Sequence, residues 1–319
     1  MESETLRLSK SLLTIIALFA GVLSAGTSPL NAQFLSPAVG QWETNVGFRA
    51  LDRPRVDDAN FAVLQDGNTG ATLLDANTLT DVNIGLGTDI SISSLRENGL
   101  DYEIRFFFNS FDRETSTQAN SITSPFFSGI SFTDVNGRYK SDVFNIELNQ
   151  KRVFSEYARF LHGVRFLYTD EELKFEGEGQ ILLFDFIGTT TTRTKNPMLG
   201  YHLGIESRVA IVPGLDVDSY FKAGVFSNFA SQSTTQTNSL LPVGVSTSGQ
   251  DSVLGFASDF GVKFQFNVVE NFLSFYGGYD GMYVNSFAPA PANVNLASGI
   301  VNDVDYWLHG IVFGMSVRR

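Results

Sequence analysis

The chain contains no cysteine in its 319 residues, which rules out a disulfide framework, a thiolate metal site and a lipid-modified N-terminal cysteine. Histidine is almost as scarce, with only His162, His202 and His309. None of the three has a metal-binding spacing or a serine-elbow motif nearby, so no enzymatic site and no cofactor are expected. Basic residues are outnumbered, 22 Lys and Arg against 34 Asp and Glu, for a net charge of -12. That excess argues against nucleic acid as a partner, because phosphate recognition depends on Lys and Arg. Beyond the N-terminal region no apolar run reaches the 18 residues a membrane helix needs.

The first residues read as an export signal. Arg7 and Lys10 precede an apolar run over 12–23, too short to span a bilayer as a mature helix, followed by the small residues Ser24, Ala25 and Gly26. Cleavage after Ala25 or Ala32 fits; Ala32 is preferred because Gln33 then opens the mature chain. The expected organisation is a signal peptide over 1–32 and one domain over 33–319.

What the domain does contain is alternation. Trp42, Thr44, Val46, Phe48 and Ala50 fall on one face, and Glu43, Asn45, Gly47 and Arg49 on the other. This is the period of two that marks a strand. The pattern returns at Val82, Ile84, Leu86, Ile90 and Ile92, and again at Leu100, Tyr102, Ile104, Phe106 and Phe108. Further strands are predicted near 138–149, 158–169, 197–210, 215–228, 252–266, 272–285 and 305–317, ten in all. Segments 175–179 and 181–187 would make twelve if they paired as independent strands; a hairpin standing above the membrane is the preferred reading.

Connections alternate between short (94–99, 150–157, 211–214, 267–271) and long (51–81, 111–137, 170–196, 229–251, 286–304). With 29 phenylalanines and a mean hydropathy near zero, this predicts an all-β fold: a transmembrane antiparallel up-and-down β-barrel of about ten strands in the bacterial outer membrane, with both termini in the periplasm. A soluble β-sandwich would alternate too, but without the asymmetry in loop length. Trp42, Tyr168, Tyr283, Tyr306 and Trp307 are expected in the interfacial girdles. Segments 66–68 and 134–137 resemble fragments of calcium loops but lack the closing glutamate, and read as turns. Segments 230–250 and 287–292 read as exposed, mobile surface.

Three blocks carry a resemblance to a known family. DVFNIELNQKRVFSEYARFLHGVRFLYTDEEL at 142–173 has Asn145, Glu147 and Asn149, then Gly163, Val164 and Arg165; blocks 196–228 and 256–290 are of the same type. Together they resemble the planctomycete-type outer-membrane β-barrel porin family, which implies an outer-membrane location and a transport role. The barrel assembly machinery and outer-membrane lipid would then be partners. The last strand ends Gly314-Met315-Ser316-Val317-Arg318-Arg319 and not in an aromatic, so that machinery would have to read Phe313 and Val317 instead.

The strand register turns Glu103, Arg105, Glu147, Arg165, Glu206, Arg208, Lys222, Asp259, Lys263 and Asp280 toward the lumen, five acids and five bases. His202 faces the same way, with Glu206 on its strand face. A ten-stranded lumen is narrow, and balanced charges would pair across it. Two functions follow: passive passage of small hydrophilic solutes through a charged constriction, or a non-conducting structural or binding barrel whose long loops contact surface polymers or proteins.

Overall fold

The computed structural model describes residues 41–53, 63–68, 72–75, 82–95, 100–123, 131–181, 184–240, 244–269, 272–293 and 300–319. The proposed signal segment 1–32 and turn 96–99 lie outside them. Among the described residues there are twelve strands: β1 (Gln41–Arg53), β2 (Val63–Asp66), β3 (Thr72–Asp75), β4 (Val82–Leu95), β5 (Leu100–Thr123), β6 (Ser131–Val153), β7 (Ala158–Ile181), β8 (Phe184–Val212), β9 (Leu215–Asn238), β10 (Val245–Val269), β11 (Leu273–Phe287) and β12 (Val304–Arg318). Ten of them close on themselves. The order runs β5-β4-β1-β12-β11-β10-β9-β8-β7-β6, and β6 pairs back onto β5. The two short strands form a hairpin that extends β5, with Gln65 opposite Thr123 and Asp66 opposite Ile122.

Closure leaves no barrel edge unpaired, which is the condition for a sheet to exist in hydrocarbon. The side chains then sort inside out. Ile104, Leu148, Val164, Leu203, Val225, Phe264, Phe275 and Phe313 are exposed on the outer wall, while Arg105, Glu147, Arg165, Lys222 and Asp259 are buried within. A soluble domain has the opposite distribution; this one has the apolar band and polar lumen of an outer-membrane barrel. On β5 the band covers Tyr102, Ile104, Phe106 and Phe108, and the next outward charge, Asp112, is held by Arg138 through Nε at 3.0 Å. Further outward ion pairs, Lys140 with Asp142, Arg193 with Asp170 and Lys174 with Glu176, lie beyond the band on the same side.

Strand lengths are unequal. β5 to β10 run 23 to 29 residues, whereas β1, β4, β11 and β12 run 13 to 15. A membrane crossing needs about 9 to 11 residues. Six strands therefore continue well past the apolar band as a wall on one side of the mouth.

This corrects the expectation of long loops. Much of 111–137, 170–196 and 229–251 is strand, because polar Thr and Ser on both faces suit an extended sheet in water as well as a loop. Segment 134–137 lies within β6, not at a turn, and most of 230–250 belongs to β9 and β10. Residues 175–179 and 181 belong to the end of β7 and 184–187 to the start of β8, which pair antiparallel, with Gly177 opposite Gly188. At 67–68 a turn does follow β2. At the other end the described connections, 154–157 and 213–214, are tight. Gly214 takes φ 84°, a left-handed conformation that glycine adopts without a Cβ clash, in the two-residue turn between β8 and β9.

The aromatic girdle also needs one correction. Trp42 is exposed on the outer wall, and Tyr283 lies against Trp307 with ring centroids 4.9 Å apart. Tyr306 points the other way, fully buried inside against Phe287 at 4.5 Å, since odd and even positions of β12 face opposite sides.

Candidate functional site

Each lumen charge sits where strand alternation points it inward and register places it beside its partner. Glu147 on β6 is directly opposite Arg165 on β7, and Asp259 on β10 opposite Lys222 on β9. These four make one mid-lumen cluster. Arg165 donates to Glu147 at 2.5 and 3.1 Å and to Asp259; Lys222 donates to Glu147 at 2.7 Å. Asn145 and Asn149 add bonds to Glu147 at 3.2 and 3.1 Å. His202 is buried beside them, its Nε2 2.7 Å from Asn149 Oδ1. His162 and His309 face outward and meet the hydroxyls of Tyr201 and Tyr279 at 2.8 and 2.7 Å.

A second cluster adjoins the first. Asp89 accepts from Arg49 at 2.9 and 3.1 Å and from Arg105 at 2.8 and 3.2 Å, and Asp280 lies 2.8 Å from Arg49 and 3.6 Å from Arg105. Arg49 also stacks on Phe107 at 4.4 Å.

Toward the short turns the lumen opens into a cavity of about 110 Å³. Lys151 there is shared by Glu103 at 2.6 Å and Glu206 at 2.9 Å. Arg208 grips Asp218 through two bonds of 2.6 Å, Glu43 accepts from Arg318 at 2.9 Å, and Arg159 lies 3.3 Å from Asp101. Lys263 lines the same cavity, its ammonium 5.0 Å from the centre of the Tyr276 ring.

Toward the opposite mouth the filling is apolar: Leu51, Phe107, Phe111, Val143, Leu167, Met282 and Leu308 are all buried. Within this layer Arg53 and Glu171, 1% and 0% exposed, pair at 2.6 Å, and Tyr139 donates to Glu171 at 2.8 Å. Over it lies a strap, 288–293, folded into the barrel. The segment expected on the mobile surface is thus buried, because hydrogen bonds draw it in. Asn196 clasps Ala288 through both its backbone N–H and C=O at 3.0 Å, Ala290 N–H donates to Glu171 at 2.9 Å, and Gln232 donates to Asn293 O at 2.9 Å. The chain enters the strap through Ser286, whose φ of 58° is rare for a residue with a side chain.

All ten residues singled out in the sequence therefore lie on the inner wall. Glu103, Arg105, Glu147, Arg165, Lys222, Asp259 and Asp280 are buried; Glu206, Arg208 and Lys263 are half-buried around the cavity. Sequence reasoning missed Glu43, Arg49, Arg53, Asp89, Lys151 and Glu171. Glu43, Arg49 and Asp89 were on the inward face of strands already recognised, Arg53 fell in the connection 51–81 that β1 in fact extends into, and Lys151 continues the row of Glu147 and Asn149. Glu171 had been assigned to a loop. Among the described residues no group of three His, Asp or Glu could hold a metal.

No family model matches the chain, and no curated protein sequence matches it. Among solved structures, the outer-membrane protease OmpT of Escherichia coli aligns over 91% of this chain and 100% of its own at 11% identity, with a TM-score of 0.43. The translocator domain of the autotransporter NalP of Neisseria meningitidis aligns over 99% of both at 8% identity and 0.41. The toluene transporter TbuX of Ralstonia pickettii aligns over 90% of both at 11% identity and 0.33. These likenesses are remote, and the barrel assignment rests on the closed strand pairing itself.

Proposed function

We propose that this protein is a narrow porin of the bacterial outer membrane that passes small hydrophilic solutes, with strap 288–293 as its gate and both ends of the barrel sheet on the periplasmic side. The observation that supports a gate is the wall behind the strap. Thr169, Thr190 and Thr194 are buried there, their hydroxyls without hydrogen-bond partners among the described residues. A permanently sealed structural core would gain by having apolar residues at those positions, since each unpaired buried hydroxyl costs about 1 to 3 kcal/mol. Hydroxyls on that wall suit a surface that water reaches when the strap swings away. The resemblance of 142–173, 196–228 and 256–290 to the planctomycete-type porins points the same way, and outer-membrane lipid and the assembly machinery are the partners it entails.

Planar-bilayer recordings test this. Wild-type protein is expected to conduct weakly and in rare openings, and Asn196→Ala, which removes both bonds to Ala288, to open more often. Silence of both proteins, with folding verified by heat-modifiable gel mobility, would favour the structural or binding barrel.

A further inference from the structure

We propose that the cavity at the short-turn end is a binding site for small zwitterions of the amino-acid type, which deepens the pore reading by naming a solute class. The argument is a charge count. Around this cavity Arg208 and Arg318 are matched in number by Asp218 and Glu43, Arg208 lying 2.6 Å from Asp218 and 3.8 Å from Glu43. Two groups are not. Lys151, between Glu103 and Glu206, and Arg159, opposite Glu206 and 3.3 Å from Asp101, set two cations among three carboxylates, leaving one negative charge in excess. Deeper in, Asp89 and Asp280 are already shared by Arg49 and Arg105, and Lys263 is a third cation beside them with no carboxylate within ion-pair distance among the described residues. That group carries one positive charge in excess.

Glu103, Glu206, Lys151, Asp89, Arg105 and Lys263 all line the one cavity. Uncompensated charge inside a protein is costly, and the cost is relieved by a counter-charge or by water. A solute with an ammonium at one end and a carboxylate at the other satisfies both groups at once. A simple anion or cation satisfies one and adds its own charge to the lumen. The cavity volume, about 110 Å³, suits a solute of a few heavy atoms.

Half-buried Glu206 and Lys263 are the exposed ends of the two groups, so they are the residues to change. Saturation-transfer NMR on the folded barrel in micelles, with glycine as probe and acetate and methylammonium as single-charge controls, reads binding without requiring conduction. Glycine is expected to bind saturably and at least about tenfold more tightly than either control, a difference corresponding to one charged hydrogen bond. Lys263→Gln and Glu206→Gln should each weaken glycine about tenfold, and Lys140→Gln, an outward lysine, should leave it unchanged. Equal binding of the three probes, or glycine binding that survives Lys263→Gln, overturns the proposal. A barrel that binds glycine yet never conducts keeps this site and removes the porin; one that conducts without binding glycine does the reverse.

Discussion

Phe106 shows what the outer wall asks of one side chain. It sits mid-band on β5, its ring 5.1 Å from Phe144 on β6, which in turn lies 6.4 Å from Phe166 on β7. Phe106→Arg should cost about 2 to 4 kcal/mol of refolding stability in lipid, as arginine does near a bilayer midplane; a titration in urea against liposome-refolded wild type measures it. Arg165 answers to the opposite environment. Removing it leaves Glu147 and Asp259 with Lys222 as their remaining cation. We expect Arg165→Ala to shift reversal potentials in a salt gradient toward cations, and the added change Glu147→Ala to bring them part of the way back. Breaking a buried pair from one side costs about 3 to 5 kcal/mol, so Arg165→Ala should also unfold at lower denaturant than wild type, and the double variant should lose less stability than the sum of the two single changes. Which residues face inward was legible because strand alternation is strict: Glu147 and Arg165 could both be turned inward on neighbouring strands from sequence alone, while their facing register comes from the fold. Who bonds to whom across the lumen was not, since Arg165 reaches Asp259, 94 residues on, through space that only barrel curvature defines.

For the strands, the sequence located all ten that close the barrel to within a few residues at their short-turn ends, where Gly214 and its neighbours punctuate the chain. At the other ends it failed for a physical reason. Apolar alternation stops where lipid stops, but the hydrogen-bonded ladder continues, and Thr-rich stretches such as 189–194 look the same in a loop and in a water-exposed strand. The strap was misread by the same logic, as Pro and Ala mark a break in regular structure without saying whether it is buried. The revised boundaries change where the chain tolerates additions. An epitope placed between residues 239 and 244, beyond the ladder, should leave assembly intact and label on whole cells. The same epitope within 231–236 should not, because those residues pair on both sides, with β8 and with β10. Insertion at Pro213-Gly214 should also block assembly, and surface labelling there would reverse the orientation proposed above.

The barrel as a whole is laced unevenly around its circumference. Twenty-four facing residue pairs join β7 to β8, against ten between β1 and β12 and nine between β4 and β5 among the described residues. Both thin seams flank the same pair of strands, β1 and β4. Deuterium uptake should therefore follow a gradient around the ring, slowest at the amides of β7 and β8 and fastest at those of β1 and β4, since opening free energy rises with the length of ladder that must part. Uniform exchange around the ring would contradict this. In mechanical terms the cylinder has a hinge line: a pair of strands that can lean outward into lipid while the tall wall opposite stays rigid, giving the protein a built-in direction in which it yields.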